Sequence, residues 1–215
     1  MTYPNAYKGV NQIYKAEIIA IIAALCTGIG ACLAIFGVGA ANVGSEAVGE
    51  GFVIGGGLLI IATAILMIVS YVLNIIGVGN AAKDEEAFKS AMVAIIVGII
   101  ATLVAVVFSK SLFIAAIAQF VNRVCEILVF WFCVGGIRNL AVRLQARGMV
   151  AKADSFVRLI VGLYIASILL SLLGTFIRFG NVMTGIITMV GAGCSIIAYL
   201  SYLSLLRGAR DMLAR

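Results

Sequence analysis

Four polar side chains interrupt an otherwise apolar stretch in the middle of the chain, QFVNRVCEILVF at residues 119–130. Gln119, Asn122, Arg123 and Glu126 follow the i, i+3, i+4, i+7 spacing that places residues on one face of a helix. Together they provide a carboxylate, a guanidinium and two amides. Ionisable residues inside a membrane span are functional candidates, so this set predicts a gate, a proton-responsive carboxylate or a polar site in a transport path.

A structural role is the alternative interpretation of these positions. Arg123 and Glu126 are three residues apart and can pair with each other, which lowers the free energy of burying either charge. An internal ion pair of this kind would fix the register of one helix against its neighbours. The residue pattern leaves both interpretations open.

Other chemistry is poorly represented in the sequence. The chain has no histidine, and its five cysteines lie in apolar runs without a C-x-x-C pair. This removes the commonest metal ligand and the usual pairing of a nucleophile with a histidine base. We therefore expect no catalytic residues, no metal site and no cofactor, and the sequence does not favour an enzyme.

The composition predicts that lipid is the solvent for most of the chain. Of the 215 residues, 64% are hydrophobic and only 11% are charged, whereas soluble domains average about 45–50% apolar and about 25% charged residues. Six runs have the length of a transmembrane helix, and none shows the alternation of a barrel strand. They are 17–41, 52–79, 90–108, 112–136, 157–177 and 182–206. We predict an all-α, multi-pass protein with a single integral membrane domain over residues 1–215.

The distribution of basic residues predicts the orientation of these spans. Twelve lysine and arginine residues lie at the termini and in the second and fourth connections, and only Lys110 and Arg178 lie on the opposite side. Both termini are therefore predicted to be cytoplasmic, in the plasma membrane. The net charge of +6 then suits anionic lipid headgroups, and nucleic acid is not an expected partner.

Both ends of a two-helix unit recur three times along the chain. An aromatic residue precedes the first helix of each unit at Tyr14, Phe88 and Phe156. A G-x-x-[N/D] step follows the second helix, beginning at Gly77, Gly136 and Gly208 and ending at Asn80, Asn139 and Asp211. This pattern predicts three tandem hairpins, 1–82, 83–143 and 144–215. Each hairpin runs in the same direction, so the copies would be related by a pseudo-threefold axis along the membrane normal.

Glycine is frequent in the predicted spans. Close backbone approach between helices in lipid depends on small residues, so we predict that these glycines serve helix packing. The positions in the first two spans are Gly28, Gly30, Gly37, Gly39, Gly55, Gly56 and Gly57.

The polar cluster is predicted to lie near the bilayer centre, because the midpoint of 112–136 is close to Val124. An arginine and a carboxylate there cost about 5–7 kcal/mol together on the insertion scale, so the polar face should turn away from lipid. In the aligned hairpins, Arg123 and Glu126 correspond to uncharged residues. A different arrangement, in which 109–123 forms a separate amphipathic helix, would leave the fourth span too short.

Two functions from different classes follow from these patterns. The first is a small channel or secondary transporter whose polar intramembrane site lies on the fourth helix. The second is a non-transporting accessory, assembly or immunity protein of the membrane, whose Arg123–Glu126 pair is structural. A second copy of the chain or a membrane partner protein is an expected partner in either case.

Overall fold

The computed structural model describes residues 3–42, 46–108, 111–176 and 181–214, and within these ranges every regular element is an α-helix. This confirms the predicted all-α class. The helices are α1 (Pro4–Asn42), α2 (Glu46–Ala81), α3 (Glu86–Val107), α4 (Leu112–Arg143), α5 (Arg147–Phe176) and α6 (Asn181–Leu213).

Four segments among the described residues have the length and hydropathy to cross a membrane: Pro4–Gly39, Gly51–Ala81, Glu86–Val107 and Phe120–Arg143. They are compatible with a multi-pass membrane protein. The predicted fifth and sixth spans, 157–177 and 182–206, fall on α5 and α6, where most side chains lie outside the described part of the chain. These two spans stay predictions.

The described residues divide into two compact units. One is Asn11–Gly77, and the other combines Met1–Val10 with Val78–Arg215. The division into three hairpins stays a prediction.

In the unit Asn11–Gly77, α1 and α2 are antiparallel and meet along a seam of small residues. Four buried α1 positions recur every seven residues, and so do the four buried α2 positions that face them. The α1 positions are Ala16, Ala23, Gly30 and Gly37, and the α2 positions are Ser70, Thr63, Gly56 and Gly49. A seven-residue repeat keeps one stripe of each helix facing its partner.

Hydrogen bonds and backbone contacts both contribute to this seam. Ser70 Oγ donates to the carbonyl of Ala16 at 2.8 Å, and Thr63 Oγ1 donates to that of Ala23 at 3.4 Å. Further along, a Cβ built on Gly56 would lie 2.7 Å from the Gly30 carbonyl oxygen. The glycine prediction is therefore confirmed for Gly30, Gly37 and Gly56. It is wrong for Gly28, Gly39, Gly55 and Gly57, where a Cβ would meet no atom within 4 Å.

In the other unit, α3 packs on α4 through Phe88, whose side chain is completely buried. A Cβ on Gly136 would lie 2.6 Å from Cε2 and 2.8 Å from Cδ2 of this ring. The connection from α4 to α5 is short because α4 ends in a Schellman motif. Ala146 N donates to Ala141 O at 2.8 Å and Gln145 N to Val142 O at 3.0 Å, with Gln145 in the left-handed conformation at φ 54°.

We expect Gly136→Ala to destabilise this unit by about 1–3 kcal/mol, because an overpacked methyl group forces neighbouring atoms apart. Gly135→Ala is the matched control, since a Cβ there would meet nothing within 4 Å. Thermal unfolding in detergent should separate the two variants. Adding Phe88→Leu to Gly136→Ala should recover part of the loss, and equal stability of the two glycine variants would contradict this packing.

Candidate functional site

A chain of hydrogen bonds joins α3 to the predicted polar face of α4. Asn122 Nδ2 donates to Glu126 Oε1 at 3.0 Å, one helical turn along α4. Thr102 Oγ1 on α3 donates to Asn122 Oδ1 at 3.3 Å and also lies 3.0 Å from the carbonyl oxygen of Gly98. We call this set the Thr102–Asn122–Glu126 chain. It brings together a hydroxyl, an amide and a carboxylate from two helices.

Sequence reasoning missed Thr102, which stands alone in an apolar run of α3. Gly98, one turn earlier, explains why it can reach α4. A Cβ on Gly98 would lie 3.3 Å from Asn122 Oδ1 and 3.4 Å from Cys125 Cβ, so a glycine at this position lets the two helices approach closely. A glycine followed four residues later by a lone threonine was the available signal, and by itself it is weak.

The other two residues of the predicted cluster have a different status. Gln119 and Arg123 belong to α4, but their side chains lie outside the described residues. Pairing between Arg123 and Glu126 therefore stays a prediction. Because α4 is continuous from Leu112 to Arg143, the described backbone does not break near residue 123, as a separate outer helix would require.

The direction of the polar face follows from the burial pattern of α4. Cys133, Ile137 and Leu140 continue the face of Asn122 and Glu126 by helical spacing, and each is at most 1% exposed. The opposite face carries exposed apolar side chains at Val124, Leu128 and Trp131. Glu126 is nevertheless exposed, and Asn122 is partly exposed. The carboxylate thus lies on the packed side of α4 but at an exposed position.

Helix α3 shows a change of burial along its length. Ala94, Ile95, Gly98 and Ala101 are buried on the face toward α4, whereas Thr102 on that face is exposed. The large exposed apolar residues, such as Ile96 and Ile100, lie on the opposite side of the helix. On α4, by contrast, Ala118 and Cys125 are buried on either side of Asn122, so the polar groups lie beside the packed stripe of that helix.

Two criteria give different depths for the site. Along α4, exposed large apolar side chains run from Phe113 to Trp131, with Val142 separate from them, and this belt is centred on Asn122. The candidate span on α4, Phe120–Arg143, would instead displace the site toward one end. The belt defines the depth of the site, because exposed apolar side chains are the groups that contact lipid. Arg143 also forms an ion pair at a polar helix end, where a span centre is not expected.

A second polar cluster surrounds the connection between α2 and α3 and was also missed from the sequence. Asp84 Oδ2 accepts from the backbone amide of Ala6 at 2.7 Å, and its Oδ1 accepts from Asn5 Nδ2 at 3.0 Å. The carboxylate thereby binds the first turn of α1, where backbone amides lack helical partners and negative charge is favoured.

The adjacent Glu85 holds the end of α4. Its side chain is 4% exposed, and Oε1 accepts from Asn139 Nδ2 at 3.0 Å. Oε2 lies 3.0 Å from Arg143 Nη2, an ion pair without the alignment of a hydrogen bond. Asn139, which the repeat pattern had pointed to, thus has a specific partner in Glu85. The sequence signal for this polar cluster was the run of consecutive acidic residues before α3.

Glu17 is a third carboxylate that the sequence reasoning passed over. It is buried on α1, and its Oε1 accepts from Asn74 Nδ2 on α2 at 3.2 Å. It lies at the edge of the exposed apolar residues of α1, which begin at Ile18. Among the described residues, no group of three or more acidic or cysteine side chains is arranged to hold a metal ion.

No family model, curated protein or solved structure matches the chain.

Proposed function

We propose that this protein is a small channel or secondary transporter, and that the Thr102–Asn122–Glu126 chain is its polar intramembrane site. One observation carries the proposal: Glu126 is exposed on the side of α4 opposite its exposed apolar face, near the middle of the apolar belt. A carboxylate in contact with lipid at that depth costs about 2.5–3.5 kcal/mol on the insertion scale. A water-filled path along this face removes most of that cost.

The composition of the site suits a path more than a tight binding cavity. Hydroxyl, amide and carboxylate groups follow one another from α3 to α4, and each can exchange a protein partner for water or an ion. Arg123, predicted to lie on the same helix face, would balance the charge of Glu126. Charged and polar rings of this kind select permeating ions in channels.

The proposal includes the finer topology that the sequence predicts. Six spans form three tandem hairpins in the plasma membrane, with both termini cytoplasmic and basic residues near anionic headgroups. The ion pair of Glu85 with Arg143 supports a common polar end for α3 and α4. The hydrogen bond from Arg138 Nε to Asp154, at 2.6 Å, likewise supports a common polar end for α4 and α5. The threefold relation between the hairpins is part of this proposal.

Flux through purified protein in liposomes tests the function. Wild type should conduct or exchange at least one of H⁺, Na⁺, K⁺ and Cl⁻ under an imposed gradient, read with a pH-sensitive dye and ion-selective electrodes. Glu126→Gln keeps the shape and removes the charge, and we expect it to reduce the flux about tenfold or more. Thr102→Val should reduce it less.

Val124→Thr is the matched control, because it makes a change of the same size on the exposed apolar face of α4. Its flux should equal that of wild type. If wild type passes none of these ions, the proposal fails. Equal losses in Val124→Thr and Glu126→Gln would show that the polar site is not responsible.

The accessory role is the second candidate, and one observation favours it. The hydrogen bonds from Thr102 through Asn122 to Glu126 tie α3 to α4, as a purely structural network would. An accessory protein would show no flux and would co-purify with a stable membrane partner. In that case Glu126→Gln should lower thermal stability without any transport effect.

A further inference from the structure

Three aromatic side chains lie next to the polar site, on the side toward Arg143. Phe130 follows Glu126 by one turn of α4. Its ring meets that of Tyr202 on α6 edge to face, with centroids 5.0 Å apart and an angle of 78°. Phe156 on α5 stacks on the same Tyr202 ring at 5.6 Å and 28°. We call these three residues the aromatic layer.

The aromatic layer is closed to solvent at its centre. Tyr202 is 3% exposed and Phe156 is 5% exposed, whereas Glu126, one turn away from Phe130, is exposed. Phe130 itself is half-buried, so the closed part of the layer lies where the rings of Tyr202 and Phe156 meet it. The layer also joins three helices, because Phe130 is on α4, Phe156 on α5 and Tyr202 on α6.

Packing continues beyond the layer toward Arg143. Cys133 and Ile137 on α4 are 1% exposed, and Leu205 and Leu206 on α6 are at most 2% exposed. A thickness of several turns thus contains apolar side chains at close contact. Hydrophobic constrictions stop permeation because water does not enter them.

We infer that Phe130, Phe156 and Tyr202 form the closed gate of the path, so that the polar site is open toward the Leu112 end of α4 and sealed toward its Arg143 end. The inference rests on the proposed function, because a gate requires a transport path. Whether the layer is sealed is measured separately, by the access of a reagent to the polar site. Opening the gate requires Tyr202 to leave both rings, which moves α6 away from α4 and α5. The described geometry is then the closed state of an alternating or gated cycle.

Thiol access from the two sides of the membrane tests this inference. In a background with all five cysteines replaced by alanine, Thr102→Cys places one thiol in the polar site. A membrane-impermeant methanethiosulfonate reagent is added to spheroplasts or to inverted vesicles. We expect modification at least tenfold faster from the side of Leu112 than from the side of Arg143. Lys83→Cys, exposed in the connection before α3, reports the opposite side.

Tyr202→Ala should remove the asymmetry, so that Thr102→Cys reacts from both sides at rates within about threefold of each other. Tyr202→Phe keeps the ring and should keep the asymmetry. Phe130→Ala is a second opening variant, should Tyr202→Ala fail to fold. Equal access from both sides without any gate change would overturn the inference, and so would unchanged asymmetry in both opening variants.

Flux of the wild-type chain and of Tyr202→Ala, both with Thr102 intact, separates this inference from the proposed function. Asymmetric access that the opening variants abolish, together with no ion flux, supports the sealed layer and rejects transport. Flux through a protein whose Thr102→Cys thiol is equally accessible from both sides supports transport and rejects this gate.

Discussion

Gly56→Ala is expected to destabilise the α1–α2 hairpin by about 1–3 kcal/mol, the usual cost of an extra methyl group in a packed interface. The new Cβ would lie 2.7 Å from the carbonyl oxygen of Gly30 and 3.2 Å from the backbone nitrogen of Ala34. Both atoms belong to the backbone of the opposing helix, so no side chain can move aside. The two helices have to separate, and the neighbouring contacts of the seam weaken with them.

The adjacent Gly57→Ala is the matched control. A Cβ at position 57 would meet no atom within 4 Å, and alanine is a better helix former than glycine by about 1 kcal/mol. We expect Gly57→Ala to be neutral or slightly stabilising. Unfolding in detergent, followed by circular dichroism during titration with sodium dodecyl sulfate, measures both. Equal destabilisation of the two variants would mean that the seam does not form along Gly56.

The same seam provides an internal check through its partner position. A Cβ on Gly30 would lie 3.1 Å from the Gly56 carbonyl oxygen, so Gly30→Ala should also destabilise. Once Gly56→Ala has separated the helices, the second methyl group has room. The double variant should therefore cost less than the sum of the single variants.

Glu85→Ala is expected to destabilise the protein by about 2–3 kcal/mol, the second large effect. Hydrogen bonds to a charged group contribute about 1.5–3 kcal/mol, and here both Asn139 and Arg143 lose their partner. Losing one member of a fully buried ion pair can cost about 3–5 kcal/mol. The cost here is smaller because the Arg143 side chain is 52% exposed and can be solvated.

Glu86→Ala, at the next position, is the control for Glu85→Ala. The Glu86 side chain is 92% exposed, and its ion pair with Lys89 is 4.0 Å long, so its removal should change stability by less than about 0.5 kcal/mol. A double-mutant cycle of Glu85→Ala with Arg143→Ala should give a coupling of about 1 kcal/mol or more. A coupling near zero would show that the two side chains act independently.

Both predictions concern contacts that periodicity alone did not reveal. Gly56 and Gly57 are adjacent glycines of one apolar run, and composition treats them alike. Their difference arises because a helix presents successive residues 100° apart, and only the position facing α1 is crowded. Likewise, nothing local distinguishes Glu85 from Glu86. One points toward Asn139 on α4 and the other toward solvent.

Helix periodicity predicted only part of the polar site. Spacing along α4 correctly placed Asn122 and Glu126 one turn apart, because that relation depends only on helix geometry. Thr102 came from another helix, and its contact with Asn122 depends on the close approach at Gly98. Contacts between helices depend on how the helices pack. The spacing of residues along one helix does not predict which residue of another helix it will contact.

The sequence by itself determined the all-helical class and the membrane character of this protein, because apolar runs of span length need lipid as solvent and need internally bonded backbone. It also determined which residues of α4 share a face. Only the tertiary structure decided which glycines touch a neighbouring helix, which acids hold Asn5, Asn139 and Arg143, and which aromatic rings of α4, α5 and α6 stack on one another. Those features depend on side chains that lie far apart in sequence and meet only when the helices pack.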